Sequence, residues 1–198
     1  MRIGCPKEIK AQECRVGLTP AGVDALVQAG HEVYMEDNAG LASGFPNEEY
    51  VAQGAKILPT AREVYDIADM IVKVKEPLEP EYDLMHENQI MFTYLHLAPD
   101  PEQTQALLRK KVTGIAYETV QLADRSLPLL SPMSEVAGRL SIQVGSRMLE
   151  SNWAAGASCW AASPAWSGPM WSSSAAATSA PMRRRWPLAW VPMSPSST

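Results

Sequence analysis

The sequence predicts an α/β domain with a doubly wound, mainly parallel sheet over residues 1–150. Short apolar runs typical of buried strands alternate there with amphipathic stretches that follow Thr-Pro, Asp-Pro and Ser-Pro pairs. Such pairs favour helix starts, because the first residue caps the helix and proline fits its first turn. Every acidic residue also lies in this region, whereas residues 151–198 hold all six tryptophans among alanine, serine and proline. We therefore expect one folded part and a tail of different character.

The apolar runs and the capping residues place the individual elements. The predicted strands, in chain order, are Met1–Cys5, His31–Met35, Ala55–Leu58, Met70–Lys75, Gln89–His96 and Val112–Glu118. The predicted helices begin at Thr19-Pro20, Asn47, Thr60, Asp100-Pro101 and Ser131-Pro132, with Thr19, Asn47 and Thr60 as caps. Gly30 ends the first helix, the fourth runs to about Lys110, and the last and longest reaches about Glu150.

Charge and cysteine content exclude several classes of protein. Residues 1–150 carry 14 lysines and arginines against 22 acids, so this part is acidic and unsuited to binding nucleic acid. Three cysteines without metal-ligand spacing indicate free thiols in a reducing cytoplasm, and no metal site. Pro6 interrupts the first apolar run, and no run reaches about 18 residues, so we expect neither a signal peptide nor a membrane span.

Three residues at predicted strand ends or in loops are candidates for chemistry, because ligands of such sheets bind beyond the carboxyl ends of the strands. Lys75 ends one strand and is suited to holding a carboxylate or polarising a carbonyl, although a solvated lysine is the commoner explanation. His96 ends the next strand and is suited to proton transfer near neutral pH, or to a hydrogen bond in a turn. Arg15 lies in a loop and is suited to gripping a carboxylate, although surface arginines are more common.

Longer stretches resemble a known family. The segments Gly4–Glu8, Glu13–Val23, Ile71–Pro77, Phe92–Leu97, Ile115–Val120 and Pro128–Arg139 are similar, in the same order, to the first part of alanine dehydrogenases. Only Cys14 and Gly17 depart from the expected pattern, and neither replaces a chemical group. The resemblance implies a cytoplasmic, hexameric enzyme that interconverts L-alanine with pyruvate and ammonia using NAD.

The resemblance also implies roles for individual residues. Arg15 and Lys75 would hold the carboxylate and carbonyl of pyruvate, and His96 would donate and accept the proton. Tyr94 and Met133 resemble residues that line the substrate pocket. Ser134 resembles a cofactor contact on the helix that links the two domains of the family.

The soluble subunit of proton-translocating transhydrogenase begins similarly and is the main alternative. That family lacks Tyr94-Leu95-His96 and Ala116–Thr119 as they occur here. A proton-handling histidine suits deamination, whereas hydride exchange between two nucleotides does not need one. Alanine dehydrogenase is therefore the preferred family.

The tail lacks the nucleotide-binding domain that the family requires. No GxGxxG motif occurs in the chain. If the DNA is read one base earlier from Trp153, with G or C at most third codon positions, Trp171–Met182 can be reread as an apolar strand running into such a motif. Trp190–Thr198 can then be reread as a strand ending in an acid. We therefore predict a frameshift near residue 152, and the alternative is a low-complexity linker. An independent read of the coding DNA decides between them.

These observations predict three parts: a substrate and catalytic domain (1–130), a linking helix (131–150) and a disordered tail replacing the NAD-binding domain (151–198). The resemblance implies that the chain derives from an alanine dehydrogenase and has a frameshifted, truncated end. We expect the chain itself to be inactive, since hydride transfer needs the nicotinamide held against the substrate. Two alternatives stay open, namely a transhydrogenase subunit and a non-catalytic remnant that binds pyruvate.

Overall fold

The structure is a computed structural model and describes residues 1–148. These residues fall into two compact units, one of residues 1–120 and one that begins at Gln121. The first unit contains a six-stranded sheet with the strand order β3-β2-β1-β4-β5-β6. The strands are β1 (Arg2–Cys5), β2 (Glu32–Glu36), β3 (Lys56–Leu58), β4 (Met70–Val72), β5 (Ile90–Thr93) and β6 (Thr113–Ala116).

Helices connect the strands, and every neighbouring pair of strands is parallel. The helices of the first unit are α1 (Pro20–Gln28), α2 (Asn47–Ala52), α3 (Ala61–Ile67), α4 (Glu79–Tyr82) and α5 (Pro101–Lys110). Single 3-10 turns cover Leu41–Ser43 and Tyr117–Thr119. The predicted α/β class and parallel sheet are therefore confirmed.

Two apolar clusters pack the first unit. Side chains from β1, β2, α1 and α2 form one of them, including Cys5, Val23, Met35 and Tyr50. Side chains from β4, β5, α3 and α5 form the other, including Val64, Ile71, Met91, Leu95 and Leu107. Separate clusters are expected where helices cover both faces of a parallel sheet.

The predicted helix starts are confirmed, and the predicted capping role of Asn47 is wrong. Thr19 and Thr60 cap α1 and α3, each accepting a backbone N–H three residues later at 3.3 Å. Asp100 caps α5 in the same way, at 3.0 Å. Asn47 does not cap α2, because Pro46 occupies the cap position. The Asn47 side chain instead accepts the Asn38 N–H and donates to the Asp37 carboxylate. The short helix α4 was not predicted from the sequence.

The predicted strands β4, β5 and β6 are too long at their carboxyl ends. The regular ladder stops at Val72 and Thr93, so Lys75 and His96 each lie three residues beyond a strand. Irregular hydrogen bonds continue the alignment there, from Lys73 N to Phe92 O and from Tyr94 N to Val74 O. After Ala116 the chain turns into a 3-10 helix, where the sequence pattern predicts a strand through Glu118.

The second unit contains the helix α6 (Ser131–Met148), which matches the predicted long helix within the described residues. Gly138 and Gly145 are buried along it. Met133, Val136, Leu140, Val144 and Met148 are exposed. The predicted disordered tail (151–198) lies outside the described residues.

Candidate active site

The sheet reverses its winding direction between β1 and β4. The chain moves outward from β1 through β2 to β3, and then returns to place β4 on the other side of β1. In open parallel sheets the crevice beyond the strand ends at such a switch point is the usual ligand site. Two loops flank this switch point, one after β1 (6–19), which contains Arg15, and one after β4 (73–78), which contains Lys75.

The loop after β1 holds Arg15 in place through Glu13. The Arg15 guanidinium donates to both Glu13 carboxylate oxygens, at 2.8 and 2.6 Å, and the Arg15 backbone N–H donates at 2.9 Å. This side-chain hydrogen bond holds the pKa of the Glu13 carboxyl at about 2, with partial burial opposing the shift. The positive charge of Lys75 adds to the lowering of the Glu13 pKa. Arg15 and Lys75 therefore act on the same carboxylate.

Gly17 explains how this loop reaches the switch point. A methyl group at Gly17 would lie 2.7 Å from the carbonyl oxygen of Val72 and 3.1 Å from the Cα of Lys73. Only a residue without a side chain lets the loop pack so closely on the end of β4. This close contact supplies a physical reason for one of the two departures from the family pattern.

Lys75 is half-buried, and its backbone is attached to both flanking elements. Its N–H donates to Glu8 Oε1 at 3.3 Å, and its carbonyl accepts the Thr93 hydroxyl at 2.8 Å. Glu8 Oε1 also accepts the Val74 N–H at 2.7 Å. The end of β1 and the end of β5 therefore both position the segment that carries Lys75.

His96 lies beyond β5 in the left-handed region, with φ 46°. Its ring stacks on Tyr94, with centroids 6.0 Å apart and planes at 13°. Burial raises the pKa of Tyr94, the positive charge of Arg15 opposes that shift, and Glu118 adds to it. Tyr94 therefore lies within electrostatic reach of Arg15 and in ring contact with His96.

The structure thus places four predicted site residues beyond the carboxyl ends of the strands, namely Arg15, Lys75, Tyr94 and His96. The charge of Arg15 opposes the raised pKa of Tyr94, Tyr94 stacks on His96, and the charge of Lys75 contributes to the lowered pKa of Glu13, the partner of Arg15. A guanidinium, an ammonium and an imidazole in one region suit an anionic ligand that exchanges protons.

Met133 and Ser134 belong to the second unit, at the start of α6. Met133 is exposed, and the Ser134 backbone N–H donates to Leu130 O at 3.1 Å. Their roles toward substrate and cofactor stay predictions.

Sequence reasoning missed a buried charged network beneath the site. Lys73 contacts the Glu81 carboxylate, and its Nζ lies 3.8 Å from Glu8 Oε2. The Tyr65 hydroxyl donates to Glu81 at 3.2 Å. Burial raises the pKa of Glu8, and the charge of Lys73 opposes that shift. The sequence did contain an indication of this network. Lys73 lies between the apolar residues Val72 and Val74, which predicts a lysine buried at the end of a strand.

The described residues do not fit a dinucleotide. The loop between β1 and α1 is long and carries no GxGxxG turn, and no other strand-to-helix connection of residues 1–148 carries one. Within the same residues, no group of three or more histidine, cysteine or acidic side chains is arranged to hold a metal ion. None of the helices described is both long and apolar enough to cross a membrane.

The fold and this strand-end cluster define a class, namely parallel α/β domains with a cationic site at the topological switch point. The family model described as "Alanine dehydrogenase/PNT, N-terminal domain" matches residues 4–137. The chain belongs to this family, as the sequence predicts.

Individual relatives agree with that assignment. An alanine dehydrogenase of Methanococcus maripaludis is 68% identical over 150 residues, which are 76% of this chain and 40% of that protein. One of Bilophila wadsworthia is 64% identical over 149 residues, covering 75% and 39%. The chain therefore spans about 40% of the length of the curated relatives it matches.

Two solved structures are similar to this chain. An L-alanine dehydrogenase is 56% identical with a TM-score of 0.72, covering 77% of this chain and 42% of the other. A transhydrogenase from Sinorhizobium meliloti is 26% identical with a TM-score of 0.66, covering 74% and 42%. The closer likeness is to the alanine dehydrogenase, which agrees with the preference stated from the sequence.

Proposed function

We propose that this chain is the substrate-binding part of an NAD-dependent alanine dehydrogenase, which converts L-alanine reversibly to pyruvate and ammonia. The position of Arg15, Lys75, Tyr94 and His96 beyond the carboxyl ends of the neighbouring strands β1, β4 and β5 carries the proposal. Identities of 64% and 68% to proteins named alanine dehydrogenase support it.

Each residue has one task in this proposal. Arg15 binds the carboxylate of pyruvate, since a guanidinium matches a carboxylate with two hydrogen bonds. Lys75 places a positive charge at the carbonyl oxygen, where negative charge develops during reduction. His96 holds or moves a proton near that oxygen, because imidazole titrates near neutral pH. Tyr94 lines the substrate pocket, and a pocket role for Met133 stays a prediction from the family resemblance.

The cofactor, when bound, supplies or accepts a hydride, and Ser134 is proposed to contact it. Because the described residues do not fit a dinucleotide, no step is assigned to it here. We propose that the 198-residue chain binds pyruvate without turning it over. Hexameric assembly and a cytoplasmic location remain predictions from the family resemblance.

A fusion protein tests the proposal. Residues 1–150 are joined to the part of the Methanococcus maripaludis enzyme that follows its matched region, and NADH oxidation is followed with pyruvate and ammonium. We expect turnover by the fusion and none by the 198-residue chain. Robust turnover by the 198-residue chain would overturn the expected inactivity.

Variants of the fusion test the assigned proton carrier. His96→Ala is expected to reduce kcat by about 10²–10⁴-fold, the usual contribution of a positioned acid–base group. His86→Ala is the matched control, because His86 is exposed and lies before β5, away from the carboxyl ends of the strands. Retained turnover in His96→Ala would refute the role of His96.

A further inference from the structure

A single carboxylate, that of Glu118, binds two consecutive backbone N–H groups, those of Leu95 and His96. Glu118 lies in the 3-10 turn after β6, and its side chain reaches the end of the neighbouring strand β5. Its Oε1 accepts the His96 N–H at 2.7 Å and the Leu95 N–H at 3.2 Å, and Oε2 lies 3.3 Å from the latter. Hydrogen bonds from N–H groups to an ionised carboxylate are stronger than those to neutral acceptors.

The backbone at this point has a conformation that needs support. His96 has φ 46°, a left-handed conformation that is disfavoured for residues with a Cβ atom. Such conformations persist where the surrounding structure holds them, and they cluster at functional sites. Consecutive N–H groups in turns of this kind form a concave anion-binding surface. The Glu118 carboxylate provides the anion here.

The Leu95–His96 peptide group is held at its carbonyl oxygen as well. The buried Gln103 side chain of α5 donates to the Leu95 carbonyl at 2.9 Å, and the Leu95 side chain lies in the apolar core. With Leu95 anchored in this way, the Glu118 carboxylate also holds the N–H of the next residue, His96. In this conformation the His96 ring lies parallel to Tyr94.

The same arrangement occurs one strand away. Glu8, from the loop after β1, accepts the N–H groups of Val74 and Lys75 at 2.7 and 3.3 Å. Each of the two residues assigned to chemistry thus has a carboxylate, distant in sequence, that accepts its own N–H and the preceding one. The repetition at neighbouring strand ends indicates a shared means of orienting site residues.

We propose that Glu118 is a positioning residue that sets the orientation of the His96 imidazole by holding the Leu95 and His96 N–H groups. The proposal rests on the proposed function only where it treats His96 as the proton carrier. It adds a residue that does not touch the ligand and that acts through the backbone of one that does.

Isotope-labelled samples of the whole 198-residue chain test the proposal by NMR. In Glu118→Ala we expect amide hydrogen exchange at Leu95 and His96 to quicken by on the order of tenfold or more, as a local hydrogen bond is lost. The carbon shifts and couplings of His96 should leave the left-handed range, and the ring-current shift from Tyr94 should disappear. Unchanged signals at His96 would overturn the proposal.

Conservative variants separate positioning from general stability. Glu118→Gln keeps one acceptor oxygen, so we expect the left-handed signature of His96 to remain while its amide proton moves upfield and exchanges faster. This variant decides the question if Glu118→Ala does not fold, because unchanged amides in Glu118→Gln contradict the proposal. Glu8→Gln is the matched control, expected to change the amides of Val74 and Lys75 and to leave His96 unaltered. Changes spread over the whole sheet in Glu118→Gln would indicate a merely structural role and contradict the proposal.

A pyruvate titration of the same samples keeps the two proposals distinguishable. We expect His96 signals of the unchanged chain to respond to pyruvate, and the apparent Kd to rise several-fold in Glu118→Ala. If the unchanged chain shows no response to pyruvate, the proposed function fails. The amide readout still decides the role of Glu118 in that case.

Discussion

The ring of Tyr94 lies parallel to the imidazole of His96, with centroids 6.0 Å apart and planes at 13°. Tyr117 meets Tyr94 edge-on at 5.0 Å and Phe92 edge-on at 4.4 Å. This series of rings connects Phe92 of β5 and Tyr117 of the turn after β6 to His96. The imidazole is therefore oriented by aromatic packing as well as by its backbone.

The stacking predicts a difference between two substitutions at Tyr94. Tyr94→Phe keeps the ring and should leave the upfield shifts of the His96 imidazole protons unchanged, whereas Tyr94→Leu should abolish them. Aromatic pairs contribute about 0.5–1.5 kcal/mol beyond their buried area, so only a small loss of stability is expected. Proton–carbon spectra of the imidazole provide the measurement, and equal shifts in both variants would contradict the stacked arrangement.

The buried pair of Lys73 and Glu81 predicts a large loss of stability when one partner is removed. Both side chains are almost fully buried, at 1% and 3% exposure. Lys73→Met leaves Glu81 without its counter-charge, so the free energy of unfolding should fall by about 3–5 kcal/mol. Tyr65→Phe removes one neutral donor to the same carboxylate and should cost about 1 kcal/mol. Urea unfolding followed by circular dichroism measures both.

A double variant is the control for that prediction. Lys73→Met combined with Glu81→Leu removes both charges, so part of the lost stability should return. A double variant less stable than Lys73→Met alone would show that the buried charge is not the cause.

The Glu13–Arg15 pair predicts how stability changes at low pH. The hydrogen bond from Arg15 lowers the folded-state pKa of Glu13 from 4.5 to about 2. Between these two pH values the folded state therefore binds fewer protons than the unfolded state. The stabilisation is therefore complete above about pH 4.5 and is lost as the pH falls through about 2. Carboxyl carbon shifts of Glu13 should titrate near pH 2.

Arg15→Ala tests the cause of that shift. Without the guanidinium, the Glu13 pKa should return toward its ordinary value, because the largest contribution to its lowering is gone. Arg2→Ala is the matched control, since Arg2 lowers the pKa of Asp69 in the same way at a different site. A Glu13 pKa that stays near 2 in Arg15→Ala would mean that other groups set it.

Two glycines predict opposite effects of the same substitution. Gly17→Ala would place a methyl group 2.7 Å from the Val72 carbonyl oxygen, so overpacking should destabilise the fold by about 1–3 kcal/mol. Gly22→Ala adds a methyl group within α1 whose nearest neighbour is 3.5 Å away, and should stabilise it by about 0.5–1 kcal/mol. Thermal unfolding of both variants checks the signs, and a neutral Gly17→Ala would remove the packing reason for glycine there.

Much of the fold could be predicted because its determinants are local. Three helix starts are predicted by their own capping residues, Thr19, Thr60 and Asp100. The apolar runs predict all six strands of the sheet. The ends of strands were less predictable. The Lys75 N–H donates to Glu8 Oε1, and Glu8 lies 67 residues away in sequence. A contact over that separation is not visible in a local pattern of apolar residues.

The basic side chains of the candidate site could be predicted from the sequence, whereas the carboxylates that hold them could not. Arg15, Lys75 and His96 stood out by their position at loops and strand ends, and by family resemblance. Glu8, Glu13 and Glu118 look like ordinary surface acids in sequence. Their contacts to the backbone and to Arg15 appear only in three dimensions.

By itself, the amino-acid sequence determined the α/β class, the order of helices and strands, the family and the residues suited to chemistry. Those properties follow from local propensities and from recognisable stretches of chain. Only the tertiary structure decided the strand order, and with it the meeting of the β1 and β4 loops at the switch point. It also decided which carboxylate holds which strand end, because a hydrogen bond between residues 22 or 67 positions apart forms only once packing brings them together.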